Sequence, residues 1–245
     1  MPFDYDQLAR QAGCSFEPIR NQIEYKDILS RRFPNIPLHI GYCFGMCSVF
    51  IQEGANPKNF DRQLSQFPKV VLVSALQAEH TNAFHKIKKN DLDISDIIKP
   101  GSQIFSPGFI IDHNFIDHVI YPEKKFGWAW YKIVQDCVKM PGIWLIILAS
   151  KSTAKHAIVI NSEVSKILQK DVVFLSLFDS NSGVFTAKSN NNPAKISNIA
   201  TCLDHLIKKT MPTLIQPLWH LSLRYNKALQ IAEAPDWQIT EPTAP

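Results

Sequence analysis

Apolar residues recur at three- and four-residue intervals through most of the first half of the chain, the period of a helix with one buried face. Short helices are expected at Asp4–Ala12 and Tyr25–Arg32. Pro34 and Pro37 then break the chain. After Gly41, the residues Cys43, Met46, Cys47, Phe50 and Ile51 form one face of a helix ending near Gly54. A longer helix over Lys69–Lys88 carries Leu72, Leu76, Phe84 and Ile87 on one side. Residues 89–112 are polar and punctuated by Pro100, Gly101, Pro107 and Gly108, which predicts a connection with one short helix around Asp93–Ile98.

The second half changes period. Trp130, Ile133, Val134 and Cys137 still mark a helix over Gly127–Met140, which Pro141 and Gly142 stop. Strands are then expected at Ile143–Leu148, His156–Ile160 and Val172–Phe178, with polar residues Asn161, Ser162 and Glu163 between the last two. They should lie in one largely antiparallel sheet. Asn192 and Pro193 suit an N-cap and first helical position, opening a helix whose core face is Ile196, Ile199, Leu203, Leu206 and Ile207. A last strand over Leu218–Leu223 completes an α+β pattern. The expected organisation is an N-terminal helical segment over 1–34, one domain over 35–232 and a solvated acidic tail over 233–245.

Composition narrows the function classes. The 245 residues are 45% hydrophobic, with 26 Lys and Arg against 22 Asp and Glu, as in a folded globular chain. Charge is spread over both halves, so no basic stripe marks a nucleic-acid surface. The longest apolar run, Gly142–Ala149, is far short of a membrane span, which needs about 18 residues. Asp4 and Asp6 leave no signal peptide to be read at the N-terminus. Five scattered cysteines argue for a reducing compartment rather than a disulfide framework.

One of those thiols stands in a chemically suggestive place. Cys43 opens an apolar helix directly after a glycine-containing loop, and the free amides and dipole of a helix N-terminus stabilise a thiolate, the nucleophilic form. Taken alone it reads as a structural thiol, the first member of the stripe with Met46 and Cys47. Two other positions change that balance. His156 starts an alternating strand and shares the side of Ile158 and Ile160, and Asp179 ends the next strand in line with Leu175 and Leu177. A cysteine on a helix start with His and Asp on adjacent strands has the layout of a Cys-His-Asp triad. Asp179 also fits a plain turn, as the start of Asp179-Ser180-Asn181-Ser182-Gly183. A metal site at His39, Cys43 and Cys47 lacks the second ligand pair a structural zinc takes, so no metal or cofactor is expected. His80, on the Leu72 and Leu76 side of its helix, is expected to be structural.

Three separated motifs resemble those of the YopT/AvrPphB-type cysteine proteases, papain-like bacterial effectors. Gly41, Cys43, Gly45, Met46, Cys47 and Phe50 follow the order of the nucleophile segment. His156-Ala157-Ile158-Val159-Ile160 looks like the base segment, and Asp179 to Phe185 looks like the third motif, with Ser180 where the family has proline. The resemblance spans about residues 35–190. It implies a papain-like α+β fold in which a helical lobe carries the nucleophile and packs on an antiparallel sheet carrying His and Asp. It further implies proteolysis by Cys43 as nucleophile, His156 as base and Asp179 as the orienting acid, with Cys47 the competing nucleophile. For the oxyanion hole, Gln22 is the one glutamine between Arg20 and Cys43; Asn35 and His39 are the side-chain candidates, beside the Cys43 amide, and the position stays unassigned. The implied partner is a host regulatory protein, met in host cytosol after injection by a specialised secretion system, with the chain acting as a monomer. The alternatives are a papain-fold deamidase or acyltransferase with the same triad, and a non-catalytic interaction module.

Overall fold

The apolar run Gly142–Ala149 lies within a strand whose two faces are both covered. In the computed structural model, which describes residues 4–36, 38–39, 41–90, 109–111, 119–120, 126–150, 155–167, 170–210 and 218–225, β4 (Gly142–Ser150) pairs with β5 (Lys155–Ile167) and with β8 (Leu218–Tyr225). Its Trp144, Ile146 and Leu148 enter one core and its Leu145 and Ile147 the other. Alternation against two apolar layers reads in sequence as an unbroken apolar run.

The sheet continues through β6 (Lys170–Asp179), β7 (Gly183–Ala187) and β1 (Cys14–Pro18) on one side and β2 (Phe109–Ile111) on the other, with β3 (Val119–Ile120) also paired to β8. All these pairings are antiparallel. One face is covered by α1 (Tyr5–Gln11), α6 (Phe126–Lys139) and α7 (Asn192–Thr210). The other is covered by α2 (Gln22–Arg32), α3 (Cys43–Gln52), α4 (Pro57–Gln63) and α5 (Phe67–Asn90). The expected α+β class with an antiparallel sheet is the one observed.

Several expectations shift. The N-terminal segment is not wholly helical: β1 is a short edge strand in register with β7, and α1 and α2 supply Leu8, Tyr25 and Leu29 to the two cores. Asn161, Ser162 and Glu163, expected between strands, lie inside β5, which runs on to Ile167. Residues 163–166 are exposed there, so the apolar period that marks a buried strand fades. The stripe on α3 is wider than expected, because every residue from Phe44 to Ile51 is buried. A helix apolar all round belongs in the interior. The expected helix at Asp93–Ile98 and the tail 233–245 lie outside the described residues.

Gly45 shows how tightly α3 is set. A Cβ built there would stand 2.1 Å from the Val73 carbonyl oxygen on α5, so only glycine permits this approach. His80 packs flat on Phe44, ring centroids 4.0 Å apart, as a buried structural histidine.

Candidate active site

Strand register brings the histidine and the aspartate together. Ile158 on β5 lies opposite Asp179 on β6, and directly opposed residues point to the same side of a sheet. His156, two residues before Ile158, is therefore a diagonal neighbour of Asp179 on that side. Its Nε2 lies 2.8 Å from Asp179 Oδ1, with both side chains buried. An ionised carboxylate only accepts, so the proton of this bond sits on Nε2, which leaves Nδ1 as the ring nitrogen not engaged by Asp179.

The turn after β6 holds the acid in place. Asp179 Oδ1 also accepts the Asn181 amide at 3.0 Å, and Oδ2 accepts the Ser182 hydroxyl at 3.1 Å. Gly183 closes the turn with φ +149°, and a Cβ there would stand 2.6 Å from the Glu17 carbonyl oxygen of β1. Burial pushes the Asp179 carboxyl up, but the His156 charge and bond, the Asn181 amide and the Ser182 hydroxyl together hold it below its ordinary value. For His156, burial works against the imidazolium, yet the Asp179 charge and hydrogen bond, followed by those of Cys43, push its pKa up to about 10.

Cys43 is the first residue of α3 and stands near enough to the imidazole to contribute, after Asp179, to the rise in the His156 pKa. It is half-buried, whereas Cys14, Cys47, Cys137 and Cys202 are all buried. Cys47, one turn on, donates its thiol to the Ala157 carbonyl at 3.2 Å, and burial first, then the charges of Cys43 and Asp179, raises its pKa well above the ordinary value. Of the two neighbouring thiols, Cys43 is the one partly open to solvent. The N-cap Tyr42 offers no side-chain bond to the helix. Instead Gln77 Oε1, from α5, accepts the Phe44 and Gly45 amides at 3.1 and 3.3 Å. The Cys43 amide donates to no acceptor among the described residues.

The two side-chain oxyanion candidates fall in the segment before α3. Asn35 is exposed, and His39 is half-buried, its amide donating to the Tyr42 hydroxyl at 2.9 Å and its ring edge-on to that of Tyr42. The side chain that does reach the segment before Cys43 is Gln22, whose Oε1 accepts the Tyr42 amide at 3.0 Å. Neither Gln22 nor Gln77 carries a sequence signal of its own, since each meets α3 only through tertiary packing. The one local hint is the Asn21-x-x-Glu24 capping box, which sets Gln22 as the first residue of α2.

The helix that Cys43 opens packs on an antiparallel sheet that bears His156 and Asp179, the α+β arrangement expected of a papain-like fold. Among solved structures, that of the Pseudomonas avirulence protein AvrPphB is similar, with a TM-score of 0.55 and 14% identity over 78% of this chain and 98% of that one. At that identity the likeness is one of fold. No family model matches the chain, and no curated protein matches it by sequence.

Proposed function

We propose that the protein is a cysteine endopeptidase of the YopT/AvrPphB type, with Cys43, His156 and Asp179 as its triad. The observation that carries this reading is the buried His156–Asp179 bond at 2.8 Å beside the one thiol that is not buried. The Cys43 thiolate attacks a peptide carbonyl and forms the C–S bond, with the His156 imidazolium as its counter-ion. The oxyanion is stabilised by the Cys43 amide and the positive end of α3. His156 Nδ1 then protonates the leaving amine as the C–N bond breaks, and Asp179 keeps Nε2–H fixed throughout. In the second half, neutral His156 takes a proton from water, the resulting hydroxyl attacks the thioester carbonyl, and the C–S bond breaks to restore the thiolate. No metal or cofactor enters the scheme. The substrate on this reading is a host regulatory protein, reached in host cytosol by an injected monomer; the fold shared with a Pseudomonas avirulence protein supports that setting.

The test is iodoacetamide alkylation across pH, mapped by mass spectrometry to each of the five cysteines, in wild type and His156→Ala. Cys43 is expected to react fastest and to remain reactive at pH 6, where an ordinary thiol is protonated, and to lose that advantage in His156→Ala. New amino termini in an unfolded protein substrate, absent with Cys43→Ala, then identify hydrolysis of the peptide bond. An inert Cys43, or one indifferent to His156, overturns the reading.

A further inference from the structure

Three hydrogen bonds converge on Gln22, and they join the two halves of the site. The capping box places it: Asn21 Oδ1 accepts the Ile23 and Glu24 amides, and Glu24 Oε2 accepts the Asn21 amide. As first residue of α2, Gln22 has a backbone N–H with no partner inside its own helix, and this donates to the Ser180 carbonyl at 2.9 Å. Its side-chain Oε1 accepts the Tyr42 amide, the peptide directly before Cys43. Its Nε2 donates to Asn181 Oδ1. The orientation of the amide is determined, because only the carbonyl oxygen can accept from Tyr42 N–H. Asn181 in turn gives its own amide to Asp179 Oδ1, the oxygen that holds His156.

We propose that Gln22 is a positioning residue that fixes the distance between the nucleophile loop and the turn carrying the acid, and so keeps Cys43 in register with His156. The inference rests on the acyl-transfer reading above. Cys43 and the Asp179 turn come from different elements, α3 and the β6–β7 turn, and the Tyr42 side chain does not cap its own helix. The loop is also held by the His39 amide on the Tyr42 hydroxyl and by the Tyr42 ring edge-on to Tyr25 at 4.8 Å, contacts that do not involve the Asp179 turn. One side chain, that of Gln22, thus bonds to both the Tyr42 peptide and the turn. With it gone, water satisfies the freed groups at small cost in stability, yet a shift of about 1 Å between reacting groups can slow chemistry on the order of a hundredfold.

The test follows the rate and pH profile of Cys43 alkylation in wild type, His156→Ala, Gln22→Met and Gln22→Glu. Methionine fills the space and makes neither bond. Glutamate accepts from Tyr42 and, once Asn181 turns its amide, accepts from Asn181 too, so the bridge is rebuilt. Gln22→Met is expected to lower the Cys43 rate at pH 6 by ~10-fold and move its pH profile towards that of His156→Ala, and Gln22→Glu to recover to within ~3-fold of wild type. Asn181→Ala, which cuts the far end and keeps the backbone bond to Asp179, should give the same shift as Gln22→Met, and the double variant no more than either. The buried thiols Cys47 and Cys137 report the fold in every sample by staying unmodified; should Gln22→Met expose them, Asn181→Ala carries the test. If Cys43 depends on His156 but is indifferent to both Gln22→Met and Asn181→Ala, the positioning role is overturned and the triad stands. If Cys43 is indifferent to His156 as well, the reading on which it rests fails first.

Discussion

Replacing Asp179 by asparagine isolates the charge in the buried pair. Asparagine keeps an acceptor oxygen for His156 Nε2–H and for the Asn181 amide, so the shape of the turn survives. His156 stands at about 10 in the folded protein against an ordinary 6.5, with burial opposing the rise and Asp179 contributing most to it. A pKa raised on folding contributes stability fully below the unfolded value and loses it as pH climbs through the folded value. Between the two, the folded state holds one more proton, and stability falls by about 1.4 kcal/mol per pH unit. Asp179 is ionised in both states from pH 7 upwards and adds no slope there; its own contribution is lost only in acid, as pH falls through its depressed value.

The thiol must be taken out of this proton count. Cys43 also acts on the His156 proton, so the measurement belongs in a Cys43→Ser background. Serine also removes the smaller share of the rise that Cys43 supplies and leaves that of Asp179. Urea unfolding followed by tryptophan fluorescence at pH 7 and pH 8.5 should show Cys43→Ser losing ~2 kcal/mol more across the interval than Cys43→Ser/Asp179→Asn. With an m-value of about 2–3 kcal/mol/M, that is a difference in midpoint shift approaching ~1 M urea. Equal slopes in the two proteins would refute the argument that Asp179 keeps a proton on His156.

Gly45→Ala forces a methyl to within 2.1 Å of the Val73 carbonyl, where ordinary contact begins at 3.4 Å, so α3 must move away from α5. Overpacking of this kind costs roughly 1–3 kcal/mol, visible as a lower Tm, and it should also slow Cys43 alkylation because Gln77 loses its grip on the helix amides. Cys47→Ala removes the thiol bonded to the Ala157 carbonyl and leaves a small void, costing ~1–2 kcal/mol in urea unfolding while the Cys43 alkylation profile stays that of wild type. Asn21→Ala strips the cap of α2 and should cost about 1 kcal/mol by urea unfolding, with a fall in Cys43 reactivity smaller than that of Gln22→Met.

What could be read from the sequence was whatever is written in local period. The side shared by His156 and Asp179 follows from counting in twos along two strands, and the place of Cys43 follows from a glycine loop running into an apolar helix. The antiparallel sheet was legible for the same reason, down to the apolar run that becomes β4. β1 was not, because a five-residue edge strand containing Pro18 alternates too briefly to stand out from a loop. The polar reach of β5 beyond Ser162 failed in the opposite way, being held by its pairing with β6 while its residues 163–166 are exposed. Gln22 and Gln77 show the deeper reason. Each lies far from Cys43 in sequence and bonds to main-chain amides beside it, and a main-chain amide has the same chemistry whatever residue carries it. No residue type at positions 42, 44 or 45 could have announced a glutamine partner. The groups proposed to react are distinguished by their side chains and leave a trace in sequence, whereas those proposed to place them act on backbone and become visible only when the chain is folded.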